Sequence, residues 1–159
     1  MNSLEADVEL FPSSLCRLRA DRGKWDLAVV TPGPDRRYNP DVMRLNRFDL
    51  PLVREKFLEA FRKMEGLCRI SPESRVSTEV KGAALTFKVE TDGQGGGSVV
   101  VMLGGFRPAL AVRTAEQFEA FAAALDEVER QGEELSRKAL ELDGLDGNVC
   151  IPAEEGGQT

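Results

Sequence analysis

The stretch Pro108 to Val128, PALAVRTAEQFEAFAAALDEV, decides the fold. Ala109 to Arg113 are mostly small or branched residues that suit a strand. Thr114 then supplies an N-cap and Gln117, three residues on, completes a capping box, so a helix begins with no intervening loop. Phe118, Phe121, Ala122, Leu125 and Val128 recur at helical spacing and mark one apolar stripe. The pattern predicts a helix running to about Gln131 and interrupted at Gly132, with a further helical stretch over Glu133 to Leu142 that offers Leu135, Ala139 and Leu142.

Upstream of that strand the chain reads as antiparallel hairpins. Arg75 to Lys81, a turn at Gly82, and Ala83 to Thr91 form one pair, and in the latter Leu85, Phe87 and Val89 alternate with Ala84, Thr86, Lys88 and Glu90. A glycine-rich loop from Asp92 to Gly97 precedes the strand Ser98 to Leu103, and Gly104 and Gly105 mark a bend before Ala109. The same order occurs earlier. SLCRLRADRGKWDLAVVT, Ser14 to Thr31, folds back at Asp21, Arg22 and Gly23; a proline-rich loop from Pro32 to Pro40 leads to a strand over Val42 to Phe48. Asp49, Leu50 and Pro51 open a helix whose Val53, Phe57, Phe61 and Met64 share a face, and Gly66 is the expected stop. A shift of about 64 residues lays Phe57 on Phe121, Phe61 on Leu125 and Met64 on Val128, so strand, strand, strand, helix occurs twice.

The expectation is therefore an α+β protein of two tandem antiparallel sheet-plus-helix repeats, intertwined or packed on a shared core. Its divisions are an acidic N-terminal segment (1–10), repeat 1 (11–66), a connector (67–74), repeat 2 (75–132), and an acidic C-terminal helix with a disordered tail (133–159).

This plan resembles that of the PUR-repeat proteins and, as single units that dimerise, of the Whirly proteins; the single-stranded-DNA-binding transcriptional coactivators have a related sheet and helix. The resemblance is closest over Pro108 to Val128 and extends more loosely over Ser14 to Met64. It implies helices packed on the sheets, and single-stranded DNA or RNA lying on exposed sheet surface.

Composition narrows the chemistry. The 159 residues are 42% hydrophobic and 30% charged, ordinary for a globular chain. There is no histidine, which removes the commonest general base and metal ligand, and the three cysteines, Cys16, Cys68 and Cys150, are too far apart for a CxxC pair or a zinc cluster. No apolar run approaches the about 20 residues of a membrane span, and Glu5, Asp7 and Glu9 stand where a secretory leader carries positive charge, so a cytoplasmic protein with no membrane partner is expected. Gly93 to Gly97 lacks the Lys-Ser/Thr ending of a phosphate loop, Glu127, Glu129, Glu133 and Glu134 read as a solvated helix face, and Asp143 to Asn148 lacks the ligand alternation of a calcium loop. No cofactor, metal or catalytic residue is expected.

The net charge of −6 is unevenly laid out: residues 11–71 hold thirteen bases against eight acids, whereas 126–159 hold three against ten. Single-strand binding needs cations for phosphates and rings for bases. The first half supplies both. Arg17 and Arg19 share a strand face, Arg22 and Lys24 flank the hairpin tip beside Trp25, Arg36, Arg37 and Tyr38 lie in the proline-rich loop, and Arg44 is on the next strand. These nine residues are the candidate nucleic-acid contacts; the alternative is that Trp25 is a core residue of the sheet and the arginines a solvated face. The other function in view is an acidic protein-interaction or chaperone-like adaptor, and a homodimer suits both.

Overall fold

A computed structural model describes residues 3–12, 14–31, 41–103 and 107–150 of the chain. Strands β1 (Leu4–Val8), β2 (Leu15–Asp21), β3 (Lys24–Thr31) and β4 (Asp41–Asn46) form one antiparallel sheet in chain order, followed by α1 (Asp49–Ile70). A second sheet of β5 (Ser77–Gly82), β6 (Leu85–Thr91), β7 (Gly97–Leu103) and β8 (Arg107–Val112) is built the same way and followed by α2 (Ala115–Cys150). The protein is thus α+β, with two four-stranded antiparallel sheets and two helices. No helix among the described residues is long and apolar enough to cross a membrane.

The departures from expectation have local causes. β1 falls within the segment read as an acidic terminus: Leu4, Ala6 and Val8 alternate with the exposed Glu5 and Asp7, and the strand pairs with β2 through Asp7 opposite Arg17 and Glu5 opposite Arg19. Gly66 does not stop α1. The helix continues to Ile70 and closes where the Ser71 N–H donates to the Leu67 carbonyl (2.9 Å), one residue before Pro72, which bars its predecessor from helical geometry. At the β5–β6 turn the left-handed residue is Ala83 (φ 58°) and not Gly82, whose missing side chain instead leaves room for Lys56 and Phe87, 3.0 and 3.1 Å from where a Cβ would stand. The capping box at Thr114 forms as read: the Gln117 N–H donates to Thr114 Oγ1 (3.1 Å) and the Thr114 N–H to Gln117 Oε1 (3.3 Å).

α2 is one continuous helix through Gly132. A Cβ at that position would stand 2.4 Å from Cδ2 of Trp25, so the missing side chain is what lets the indole ring lie against the helix backbone. Glycine here serves contact between elements rather than helix termination.

The helices are exchanged between the halves. α1 follows the first sheet yet packs on β5, β6 and β7, while α2 follows the second sheet and packs on β1, β2 and β3. Cys16, Leu18 and Ala20 of β2, Leu27 and Val29 of β3 and Leu45 of β4 turn inward in the first sheet; Leu85, Phe87 and Val89 of β6 and Val99 and Val101 of β7 do so in the second. Phenylalanines join the layers. The Phe57 ring of α1 lies 5.6 Å from Phe87, stacks on Phe118 of α2 at 4.6 Å and meets Phe121 edge-on at 4.9 Å. Each such buried side chain contributes about 1.5–3 kcal/mol, and no half keeps its share without the other's helix.

Candidate nucleic-acid interface

The outward face of the first sheet is set by strand alternation. Arg17 and Arg19 on β2 and Arg44 on β4 point away from the core, as expected. Register decides what surrounds them. Arg17 sits between Asp7 and Ala28, and Ala28 in turn opposes Arg44; Arg19 sits between Glu5 and Asp26. Arg17 Nε donates to Asp7 Oδ1 at 2.9 Å, a hydrogen bond that raises the guanidinium pKa further above its usual value, and Arg44 Nη1 lies 3.5 Å from Asp26 Oδ1. The face is consequently a mosaic of alternating sign. Arg19 bonds Ser3 Oγ (3.3 Å), and neither it nor Lys24 forms an ion pair with a described residue.

Trp25 corrects the sequence reading. It shares a strand face with Leu27 and Val29, is 3% exposed and lies under α2, where its Nε1 donates to Glu133 Oε2 at 2.9 Å. Its ring therefore cannot serve as an open stacking platform. The stretch of α2 after Gly132, read as an acidic addition to the repeats, holds the hairpin tip instead: Asp143 Oδ2 is 3.5 Å from Arg22 Nε, Glu133 Oε1 is 3.9 Å from Arg47 Nη1, and the buried Ser136 Oγ donates to the Asp21 carbonyl at 3.5 Å. Arg36, Arg37 and Tyr38 lie outside the described residues.

Two residues not singled out in the sequence form the most ligand-like corner. Asn46 Oδ1 accepts from the N–H groups of Phe48 (2.8 Å) and Asp49 (3.1 Å), and Asp49 Oδ2 accepts from the Asn46 N–H (2.9 Å). This reciprocal turn between β4 and α1 throws Phe48 outward, 74% exposed. The Arg47 guanidinium carbon stands 4.9 Å from the Phe48 ring centroid, and its Nη1 donates to the Gly23 carbonyl at 3.1 Å, which ties the corner to the β2–β3 hairpin tip. A groove of about 540 Å³ runs here, lined by Arg19, Arg22, Lys24 and Arg47 against Asp21 and Asp26, with Phe48 at its mouth. Four cations and two carboxylates line it; Arg22 and Arg47 are paired with Asp143 and Glu133 of α2, so Arg19 and Lys24 are the lining cations without an ion pair to a described residue. The signal available in sequence was Asn46 three residues before Asp49, which fixes the intervening Arg47 and Phe48 in a turn rather than on the strand.

Other constellations resolve structurally. In the glycine loop Asp92 Oδ1 accepts from the N–H groups of Gln94 (2.7 Å) and Gly96 (3.0 Å), so the loop's donors are engaged by its own carboxylate, whose pKa falls accordingly. Glu127 and Glu134 bond Arg130, and Glu129 bonds Arg54 of α1, an ion-pair ladder along α2. Among the described residues no group of three or more His, Cys, Asp or Glu could hold a metal ion. Burial pushes the thiols of Cys16 and Cys68 above their usual pKa, against nucleophilic use. Gly104 and Gly105 lie outside the described residues. Comparison of this chain with protein-family models, with curated proteins and with solved structures finds no match.

Proposed function

We propose that this protein binds single-stranded DNA or RNA, without a catalytic step, at the corner where the β2–β3 hairpin tip meets the turn between β4 and α1. The carrying observation is the exposed Phe48 ring, with the Arg47 guanidinium over it, at the mouth of a groove lined by Arg19, Arg22 and Lys24. A base stacks on the ring or on the guanidinium plane, and the neighbouring cations take the phosphates. A duplex keeps its bases stacked and offers the ring nothing. Two sheet-and-helix halves sharing one core support the resemblance to the PUR-repeat and Whirly families, although the stacking group proposed here is Phe48 and not Trp25. Arg17, Arg22 and Arg44, paired with Asp7, Asp143 and Asp26, contribute less than Lys24 and Arg19, whose described partner is the neutral Ser3 hydroxyl.

The test is fluorescence anisotropy with short single-stranded DNA and RNA at low salt, with duplex as control. Phe48→Ala is expected to weaken single-strand binding by about 5- to 150-fold, the range for loss of one stacking platform, while leaving the melting temperature unchanged because the ring is outside the core. Arg19→Ala should lower affinity for all sequences alike and flatten the salt dependence by about one unit of slope. Absence of single-strand binding at low salt would sink the proposal.

A further inference from the structure

The four sheet edges are not equally defended. β1 carries Glu5 and Asp7, β4 carries Arg44, and β5 carries Glu79 and Lys81, charged side chains of the kind that discourage further strand pairing. β8 carries no charge from Pro108 to Val112; Pro108, which has no N–H, and the register shift opposite Val101 and Met102 blunt its start, which leaves Ala109 to Val112 as the undefended stretch. Beside this edge runs a groove of about 790 Å³, between β8, the β1–β2 connection and the first turns of α2. Leu10, Phe11, Leu110, Phe121 and Ala124 give it apolar walls. Apart from the buried thiol of Cys16, its ionisable lining is Asp7 and Glu9, the first committed to Arg17 and the second exposed. It shares no residue with the groove beside Phe48.

We propose that β8 and this groove bind an extended segment of a partner protein, which adds as a strand to the free β8 edge, buries alternate apolar side chains in the groove and presents a lysine or arginine to Glu9. Each part of the occupant follows from the site. Unpaired backbone groups of an edge strand are met by another backbone, the apolar walls by every second side chain, and the carboxylates by cations rather than by phosphate. The inference is independent of nucleic-acid binding, because the two grooves are separate.

The experiment uses the full chain and a labelled, acetylated peptide alternating valine and lysine, followed by anisotropy. Binding is expected, with a loss of about tenfold or more when alternate peptide nitrogens are methylated, when glutamate replaces lysine, or when Ala120→Trp fills the groove from the exposed side of α2. Phe48→Ala should leave peptide affinity unchanged, and an unchanged melting temperature shows that Ala120→Trp still folds. Equal binding by the methylated peptide overturns strand addition. Equal binding by Ala120→Trp overturns the site. Light scattering that shows a stable dimer, dissociated by Ala120→Trp, overturns the peptide as occupant in favour of a second copy of this chain.

Discussion

Gly132→Ala tests the packing of α2 on the first sheet against the opposite expectation from helix propensity. Alanine is favoured over glycine inside a helix by about 0.8–1.0 kcal/mol. At position 132 the new Cβ would stand 2.4, 2.6 and 2.7 Å from Cδ2, Cε2 and Cε3 of Trp25, a ring that is 3% exposed and tethered through Nε1 to Glu133. Ring and helix must separate, and overpacking of this kind costs about 1–3 kcal/mol. Contacts so far inside van der Waals range belong at the upper end, leaving a net loss of about 2 kcal/mol after the propensity gain. Gly66→Ala is the control, since its Cβ meets nothing within 4 Å on α1. At about 2–4 °C per kcal/mol for a domain of this size, Gly132→Ala should melt about 4–8 °C below the parent and Gly66→Ala about 2–4 °C above it. Trp25 is the sole tryptophan, so its emission should shift in the first variant and not in the second. Thermal unfolding followed by circular dichroism decides the matter: if Gly132→Ala melts at or above the parent, the account of Trp25 against α2 is wrong.

Helix exchange means that residues 1–74 and 75–159, expressed separately, should each lack a cooperative transition and should regain one on mixing; a cooperative melt from either alone contradicts the packing described. Arg130 and Gln131 hold the Glu127 carboxyl down to about 2 from its usual 4.5. A folded value below the unfolded one gives stability that is complete above 4.5 and lost as pH falls through about 2, so Glu127→Gln should flatten the acid limb of melting temperature only in that window. Parallel curves would show that the ladder does not matter in solution. The Cys16 thiol, buried and raised in pKa, should react with a thiol reagent only on unfolding, measured by mass after labelling under native and denaturing conditions.

Much of the fold was legible because its signals are local. Alternation marked β6, Gly23 (φ 69°) marked the first hairpin, and Thr114 with Gln117 marked the start of α2. What escaped depended on partners distant in the chain. Gly132 reads as a stop until Trp25, more than a hundred residues earlier, is placed on it. The arginines of β2 read as a bare cationic face until register sets Asp7 and Glu5 across from them. Trp25 was within reach of sequence, since it keeps step with Leu27 and Val29, and the structure takes the core alternative over the ligand-facing one. β1 was hidden by its charge: two acids in five residues mask an ordinary half-buried strand.

The order in which the chain is made sets a hazard that the finished fold conceals. About 70 residues separate the end of β4 from the start of α2, the helix that closes over the first sheet. At a synthesis rate of about 5–20 residues per second, Leu18, Leu27, Val29 and Leu45 wait roughly 4–14 seconds for their cover. During that interval the nascent chain displays an apolar sheet face of the kind that draws chaperones or other chains until α2 arrives.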